Sequence, residues 1–260
     1  MSHQVVGWGG LVASMLFVGV AIGISWWQRL RLERRIAVAV ARSLVQLLVV
    51  GVALVAVVKP STPLVWSWLW VAAIVGFAGV TVHRRAPAIP GLLQVALASN
   101  AVVAGLNLAV IYGFGIFPLE GRTLVPVAGM TIGNAMNAGV VGATRLAQVV
   151  ADHRAEIEAR VALGLPGPEA LRPFLRQILR TAIGPQIEST AALGIVFLPG
   201  AMTGLVLAGV APLEAVRTQL ALMYVILAGV AMTTMFTVLG ASRRMMTPDD
   251  RLLVIARERG

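Results

Sequence analysis

The sequence predicts an all-α, polytopic membrane protein of about seven spans. Three observations predict it. The chain has 260 residues, of which 58% are hydrophobic and 12% charged, far from the composition of a soluble globular domain. The apolar residues fall in blocks close to the roughly 20 residues that a membrane-crossing helix needs. The basic residues stand between those blocks, on alternate connections.

The blocks are residues 8–27, 36–58, 64–82, 92–114, 124–143, 182–210 and 216–239. They leave no segment large enough for a soluble domain, so residues 1–260 are expected to form one transmembrane domain with short loops. The first block has no positively charged lead-in and is too long for a cleaved signal peptide, so it is expected to be a span. The chain has no Cys, which excludes disulfides and thiolate metal sites.

The net charge is +10. Its distribution argues for membrane topology and against nucleic-acid binding. Arg29, Arg31, Arg34 and Arg35 follow the first span, and Arg84 and Arg85 the third. Arg145, Arg154, Arg160, Arg172, Arg176 and Arg180 follow the fifth. Arg243, Arg244, Arg251, Arg257 and Arg259 follow the seventh. The other connections hold only Lys59, Arg122 and Arg217. Excess Lys and Arg mark the cytoplasmic side. The N-terminus is therefore expected outside and the C-terminus inside. The same charge favours anionic lipid at the inner surface.

Span two carries Arg42 and Gln46, one helical turn apart on a shared face. Either Arg42 snorkels to the headgroups, or the pair faces the bundle and fixes span two against a neighbour. Span four carries Asn100 and Asn107 on one face, with Gln94 nearby. Span five carries GMTIGNAMNAG, with Met130, Asn134 and Asn137 among small residues. Small residues let helices approach closely, and amides hydrogen-bond between them. These amides are either structural glue or the lining of a polar path.

Span six holds Pro185 and the pair Pro199-Gly200, which should break the helix. Broken helices are tolerated in membranes where they are buried in protein or line a cavity. Glu188, about two turns in, is the only acidic residue well inside a hydrophobic block. An intramembrane carboxylate is costly. It serves as a cation ligand, a proton acceptor or an ion-pair partner of an Arg such as Arg42, or it sits at the interface. Pro and Gly mark the outer connections KPSTP, FGIFPLEGR and AGVAPLE as short turns.

No GxxxxGK[ST] loop is present, so ATP binding of the Walker type is excluded. HExxH, CxxC and the nucleophile elbow are also missing. His3, His83 and His153 are too scattered for a metal or catalytic cluster. A membrane enzyme is disfavoured, and no cofactor is expected on this chain.

The polar stretch from about 151 to 180 is the most specific feature. A charged helix over 152–164 is followed by a Gly-Pro break and a short basic helix over 169–179. The alternating charges of the first helix suit a solvated face. Glu158-Ala159-Arg160, three more residues, then Gly164 resembles the EAA-x3-G pattern of ABC-transporter permeases. In that family the element after the Gly is a coupling helix seated in a groove of the ATPase, a familiar recognition mode for an amphipathic helix. The resemblance implies coupling roles for Glu158, Gly164, Glu169 and Arg172. Leu171, Phe174, Leu175 and Ile178 form the apolar side of that helix.

The wider run EARVALG, EALRPFLRQILRTAIGPQIEST, LPGAMTG and LAGVAPLEAVRTQL resembles the FetB-type permeases. That family comprises bacterial iron-export permeases and plant aluminium-tolerance relatives. PVAGMTIGNAMNA and ARSLVQLLVVG extend the likeness, from about Arg42 to Met223. It implies a permease subunit in the cell's inner (plasma) membrane, present as two copies. ATP and Mg would be bound by a separate ABC ATPase, and the solute would be iron or another metal cation. By the family's pattern Gly129, Met130, Gly133, Asn134 and Asn137 form the span-five motif. Pro199, Gly200, Met202, Thr203 and Gly204 form the span-six motif.

Three positions depart from the pattern. QIES stands where members read TINS, so Glu188 replaces a neutral amide. FLPGAMTGL replaces SLPGMMTGQ, with Ala201 and Leu205 in place of a Met and a Gln. Thr144 replaces an acidic residue. The expected solute path therefore comprises Glu188, also the one expected metal ligand, with Met130, Asn134, Asn137, Asn100, Asn107, Met202 and Thr203. Alternative readings are a permease for an organic solute such as a nucleotide sugar, an ATP-independent transporter, or a scaffold or sensor that moves no solute.

Overall fold

A computed structural model describes residues 8–57, 62–194, 198–247, 249 and 251–253. His3, Val58, Lys59, Pro60, Ser61, residues 195–197 of the sixth block, Arg257 and Arg259 lie outside the described residues.

Among the described residues the regular structure is helical. The helices are α1 (Trp8–Trp27), α2 (Glu33–Val57), α3 (Leu64–Arg85), α4 (Leu92–Gly113) and α5 (Gly121–Asp152), then α6 (Arg154–Ala162), α7 (Gly167–Ala191), α8 (Gly200–Leu207) and α9 (Pro212–Arg244). Six of them, α1 to α5 and α9, are long and apolar enough to cross a membrane. The expected seventh span, 182–210, is not one helix. Its first part is the end of α7, and α8 begins afresh at Gly200 behind Pro199. The chain continues helically through Pro185, so the break falls after Ala191 and not at that proline.

The contacts divide the chain into two compact units, Met1–Lys59 and Pro60–Gly260. The first is the hairpin of α1 and α2. Its turn is tight, with Arg29 and Arg31 at φ of 54° and 56°. Ser25 is buried there; its hydroxyl donates to Glu33 Oε1 at 3.0 Å and accepts the Leu32 N–H at 3.2 Å. Phe17, Leu16, Leu47 and Val52 are exposed, a surface suited to hydrocarbon rather than water. Trp26 and Trp27 stand exposed next to the basic turn, where interfacial aromatics belong.

In the second unit α3, α4, α5 and α9 pack together, and α7 lies on α5 and α9. Close contacts set the registers. A Cβ on Gly229 would lie 2.2 Å from Asn107 Nδ2, and one on Gly240 would lie 2.6 Å from Val95 Cγ1. Thus α4 and α9 are antiparallel. Gly142 likewise admits Val238 and Thr234 of α9, at 2.7 and 3.2 Å from its missing Cβ. Backbones approach this closely only where a helix presents no side chain.

Helices α5 and α9 have 32 and 33 residues, about 48–50 Å at the α-helical rise. The hydrocarbon core is only about 30 Å thick. Hydropathy therefore ended the expected spans at 143 and 239, short of the helix ends at Asp152 and Arg244. Beyond Ala143 the helical periodicity continues through Leu146 and Val150, both buried.

Two apolar cores result. One joins Leu92, Leu146, Ile157, Leu171, Ile178 and Met245. The other joins Val71, Leu108, Leu124, Ile132, Leu222 and Ile226. The first core brings the end of α3, the start of α4, the ends of α5 and α9, and α6 with the first half of α7 to one end of the unit. Arg84, Arg85, Arg145, Arg243 and Arg244 are borne on these same ends.

Candidate functional site

The polar segment is built from α6, a turn and the first half of α7. Glycine at 164 has a geometric cause. Its φ is +91°, a conformation that side chains disfavour. Gly164 N–H donates to Val161 O at 2.9 Å, and Leu165 N–H to Arg160 O at 3.2 Å. This pair of bonds is a Schellman motif that closes α6. The Gly of the EAA-x3-G pattern is thus the residue that ends the helix and turns the chain into α7.

Several contacts hold α6 in place. Ile157 is fully buried. Arg160 donates to Glu156 at 2.9 Å and lies over the Phe174 ring at 5.6 Å. His153 Nδ1 lies 3.3 Å from Glu156 Oε2, and its ring packs against Phe174 at 5.0 Å. Arg160 above all, then His153, holds the Glu156 carboxyl below its usual range. Arg154 pairs with Glu158 at 2.8 Å and donates to the carbonyls of Leu252 and Leu253, at 3.3 Å each. A cavity of about 410 Å³ lies alongside, lined by Arg154, Ile157, Glu158, Val161, Arg251 and Leu252.

The expected short helix over 169–179 is the first half of the continuous helix α7. Its apolar side faces inward. Leu171, Phe174, Leu175 and Ile178 are buried in the chain's own core, packed with Leu146, Val150 and Met245. They are not free to enter a partner's groove, because the end of the bundle already covers them. The side left open carries Glu169, Arg172, Pro173, Arg176 and Gln177.

The expected path residues fall into two sets. Asn100 and Asn107 are buried on α4, and Asn107 lies against Gly229 of α9. Asn100 Nδ2 donates to Ala96 O at 2.8 Å. Asn137 and Glu188 are exposed, on α5 and α7. These helices are antiparallel, with Gly142 facing Ala182. Carrying that register on places Asn137 level with Ile187, beside Glu188. Met130 and Asn134 are half-buried on α5, where Asn134 Nδ2 donates to Met130 O at 2.8 Å. On α8, Met202 is half-buried and Thr203 exposed; the Thr203 hydroxyl donates to Pro199 O and Gly200 O. Arg42 and Gln46 are both exposed on α2. Among the described residues Glu188 makes no ion pair, and no three His, Asp or Glu side chains gather as a metal site.

Sequence reasoning missed the polar side chains of α9. Gln219, Thr233, Thr234 and Thr237 are buried. Gln219, Thr233 and Thr237 share one helix face with Ile226 and Val230, so the signal was polar residues on an otherwise apolar stripe. The clasp of Arg154 on Leu252 and Leu253 spans nearly 100 residues of sequence and left no local signal.

The sequence pattern of the family described as "Uncharacterised protein family (UPF0014)" matches residues 8–246. The chain belongs to that family. It is similar to the UPF0014 membrane protein STAR2 of Oryza sativa subsp. japonica, with 32% identity over 212 residues, 82% of this chain and 74% of that one. It is similar to the protein named "Probable iron export permease protein FetB" of Escherichia coli (strain K12), with 29% identity over 253 residues, 97% of each chain. ALUMINUM SENSITIVE 3 of Arabidopsis thaliana is 29% identical over 213 residues, 81% of this chain and 77% of that one. The likeness read from the span-five, span-six and 151–180 motifs therefore holds at the level of the family. No solved structure matches the chain.

Proposed function

We propose that this UPF0014 member is the membrane permease subunit of an ATP-driven transporter that exports iron or another metal cation. A separate ABC ATPase would bind ATP and Mg, and two copies of the permease would meet in the inner (plasma) membrane. The relative named as a probable iron export permease supports the solute class. The grouping of basic helix ends around α6 supports a cytoplasmic position for that end.

The observation that carries the reading is the continuity of α7. One helix runs from the exposed residues Arg172 and Arg176 to Glu188, and about 30 Å separate Gly167 from Glu188 at the helical rise. Force applied to the open side of its first half acts on a unit already packed on α5 and α9. It is delivered where Glu188 and Asn137 stand level. Polar side chains exposed at that depth are costly against lipid, and a second copy facing them would shelter a polar path. Movement of α7 would then change access to that path.

The test is co-purification of the tagged chain with a Walker-containing subunit in mild detergent, followed by metal-stimulated ATPase and vesicle transport assays. Arg172→Glu with Arg176→Glu should abolish co-purification while the chain stays folded. Glu188→Gln should keep the partner and lose transport. A chain that never co-purifies with an ATPase, or a Glu188→Gln variant that transports normally, defeats the reading.

A further inference from the structure

Helices α4 and α9 meet along one face of each. Asn107 lies against Gly229 and Val95 against Gly240. That antiparallel register puts Asn100 level with residues 235–236, between Thr233 and Thr237, which lie one turn apart on one face of α9. Asn100 is 2% exposed, and Thr233 and Thr237 are 0% exposed.

Each of the three carries an atom without a hydrogen-bond partner among the described residues: Asn100 Oδ1, Thr233 Oγ1 and Thr237 Oγ1. The threonines are unusual in this chain. Thr131, Thr144, Thr181, Thr190, Thr218 and Thr234 each donate to the carbonyl one turn back, the ordinary resort of a hydroxyl in a helix. Thr233 and Thr237 do not. Asn100 Nδ2 is already committed to its own helix, so its Oδ1 is the atom left over. Gly139 of α5 leaves room beside Thr237, whose Oγ1 is 4.0 Å from where a Cβ would stand.

We infer that Asn100, Thr233 and Thr237 form a resident water site inside a single protomer, between α4 and α9. The set is neutral. It offers one pure acceptor and two hydroxyls that both donate and accept. A water can donate to Asn100 Oδ1 and share bonds with both hydroxyls, the roughly three bonds that a buried water makes. Without it three polar atoms stay unsatisfied, which buried groups rarely tolerate. The site is distinct from the exposed positions Asn137 and Glu188 and does not depend on the transport reading.

The sign of a stability change tests it. Thr233→Val and Thr237→Val remove only the hydroxyls. From a dry site they remove unsatisfied groups and raise the melting temperature. From a wet site they strip the water of its partners and strand Asn100 Oδ1, so the double variant should melt a few degrees lower. Radiolytic labelling with oxygen-18 water, on the full chain in nanodiscs, reads the water itself. Wild type should take label on α9 around Thr233, and the double valine variant should lose it. Thr233→Ser with Thr237→Ser keeps both hydroxyls and should keep the label, which covers the case of a valine variant that does not fold. A rise in melting temperature, or a wild type without label, overturns the site.

Discussion

The guanidinium carbon of Arg160 lies 5.6 Å from the centre of the Phe174 ring. The contact ties the charged helix α6 to the buried side of α7. Arg160 occupies the third place of the EAA pattern, so this position acts within the chain. It also orients Glu156, which accepts from Arg160 and faces His153 on its other side.

This network has a pH dependence whose sign follows from the lowered Glu156 carboxyl. A group held below its ordinary value contributes above that value and loses its contribution as pH falls through the lowered one. The protection of α6 amides, taken relative to their intrinsic exchange rate at each pH, should therefore fall as wild type is acidified from about pH 4.3 downward, the ordinary glutamate value. Glu156→Gln should show somewhat lower protection at neutral pH and little further change on acidification. Identical acid profiles for the two chains would count against the pairing.

Gly164→Ala places a side chain at φ +91°. It should cost about 1–2 kcal/mol, the usual penalty of the left-handed region. The expected readout is a lower melting temperature with raised exchange at the end of α6. An unchanged melting temperature would mean that the turn relaxes to another conformation.

Gly229→Ala puts a methyl 2.2 Å from Asn107 Nδ2. Overpacking of this kind costs about 1–3 kcal/mol. Asn107→Ala should relieve it, so the double variant should be more stable than the two separate losses predict. A double-mutant cycle in detergent measures the coupling. Simple additivity would refute the contact.

Phe174→Ala and Arg176→Glu separate folding from docking. Phe174 is 8% exposed within the core, and its truncation should cost about 3–5 kcal/mol and lower the yield of folded chain. Arg176 is exposed, so its reversal should leave melting unchanged while weakening ATPase co-purification. The opposite pattern would place the docking surface on the apolar side of α7 after all.

Block length and apolarity made six membrane-length helices legible, and the arginines at 84–85, 145 and 243–244 stand on helix ends that the second unit brings together. Pro199-Gly200 announced the start of α8, and Gly164 announced the end of α6. These features rest on hydrogen bonding within a segment or on transfer into lipid, both of which act locally. The partition of the amides was not legible. Asn100 and Asn137 look alike in sequence, yet one is buried on α4 and the other is exposed on α5. The same holds for Leu171, Phe174, Leu175 and Ile178. Their spacing gave an amphipathic face, but not what would cover it. The sequence by itself determined a helical membrane chain with a polar turn segment at its basic end. Only the tertiary structure decided which faces that chain consumes in its own core. The physical reason is that helix-helix register is set by close approaches such as Gly229 on Asn107 and Gly142 on Val238, between residues far apart in sequence, and no local periodicity encodes them.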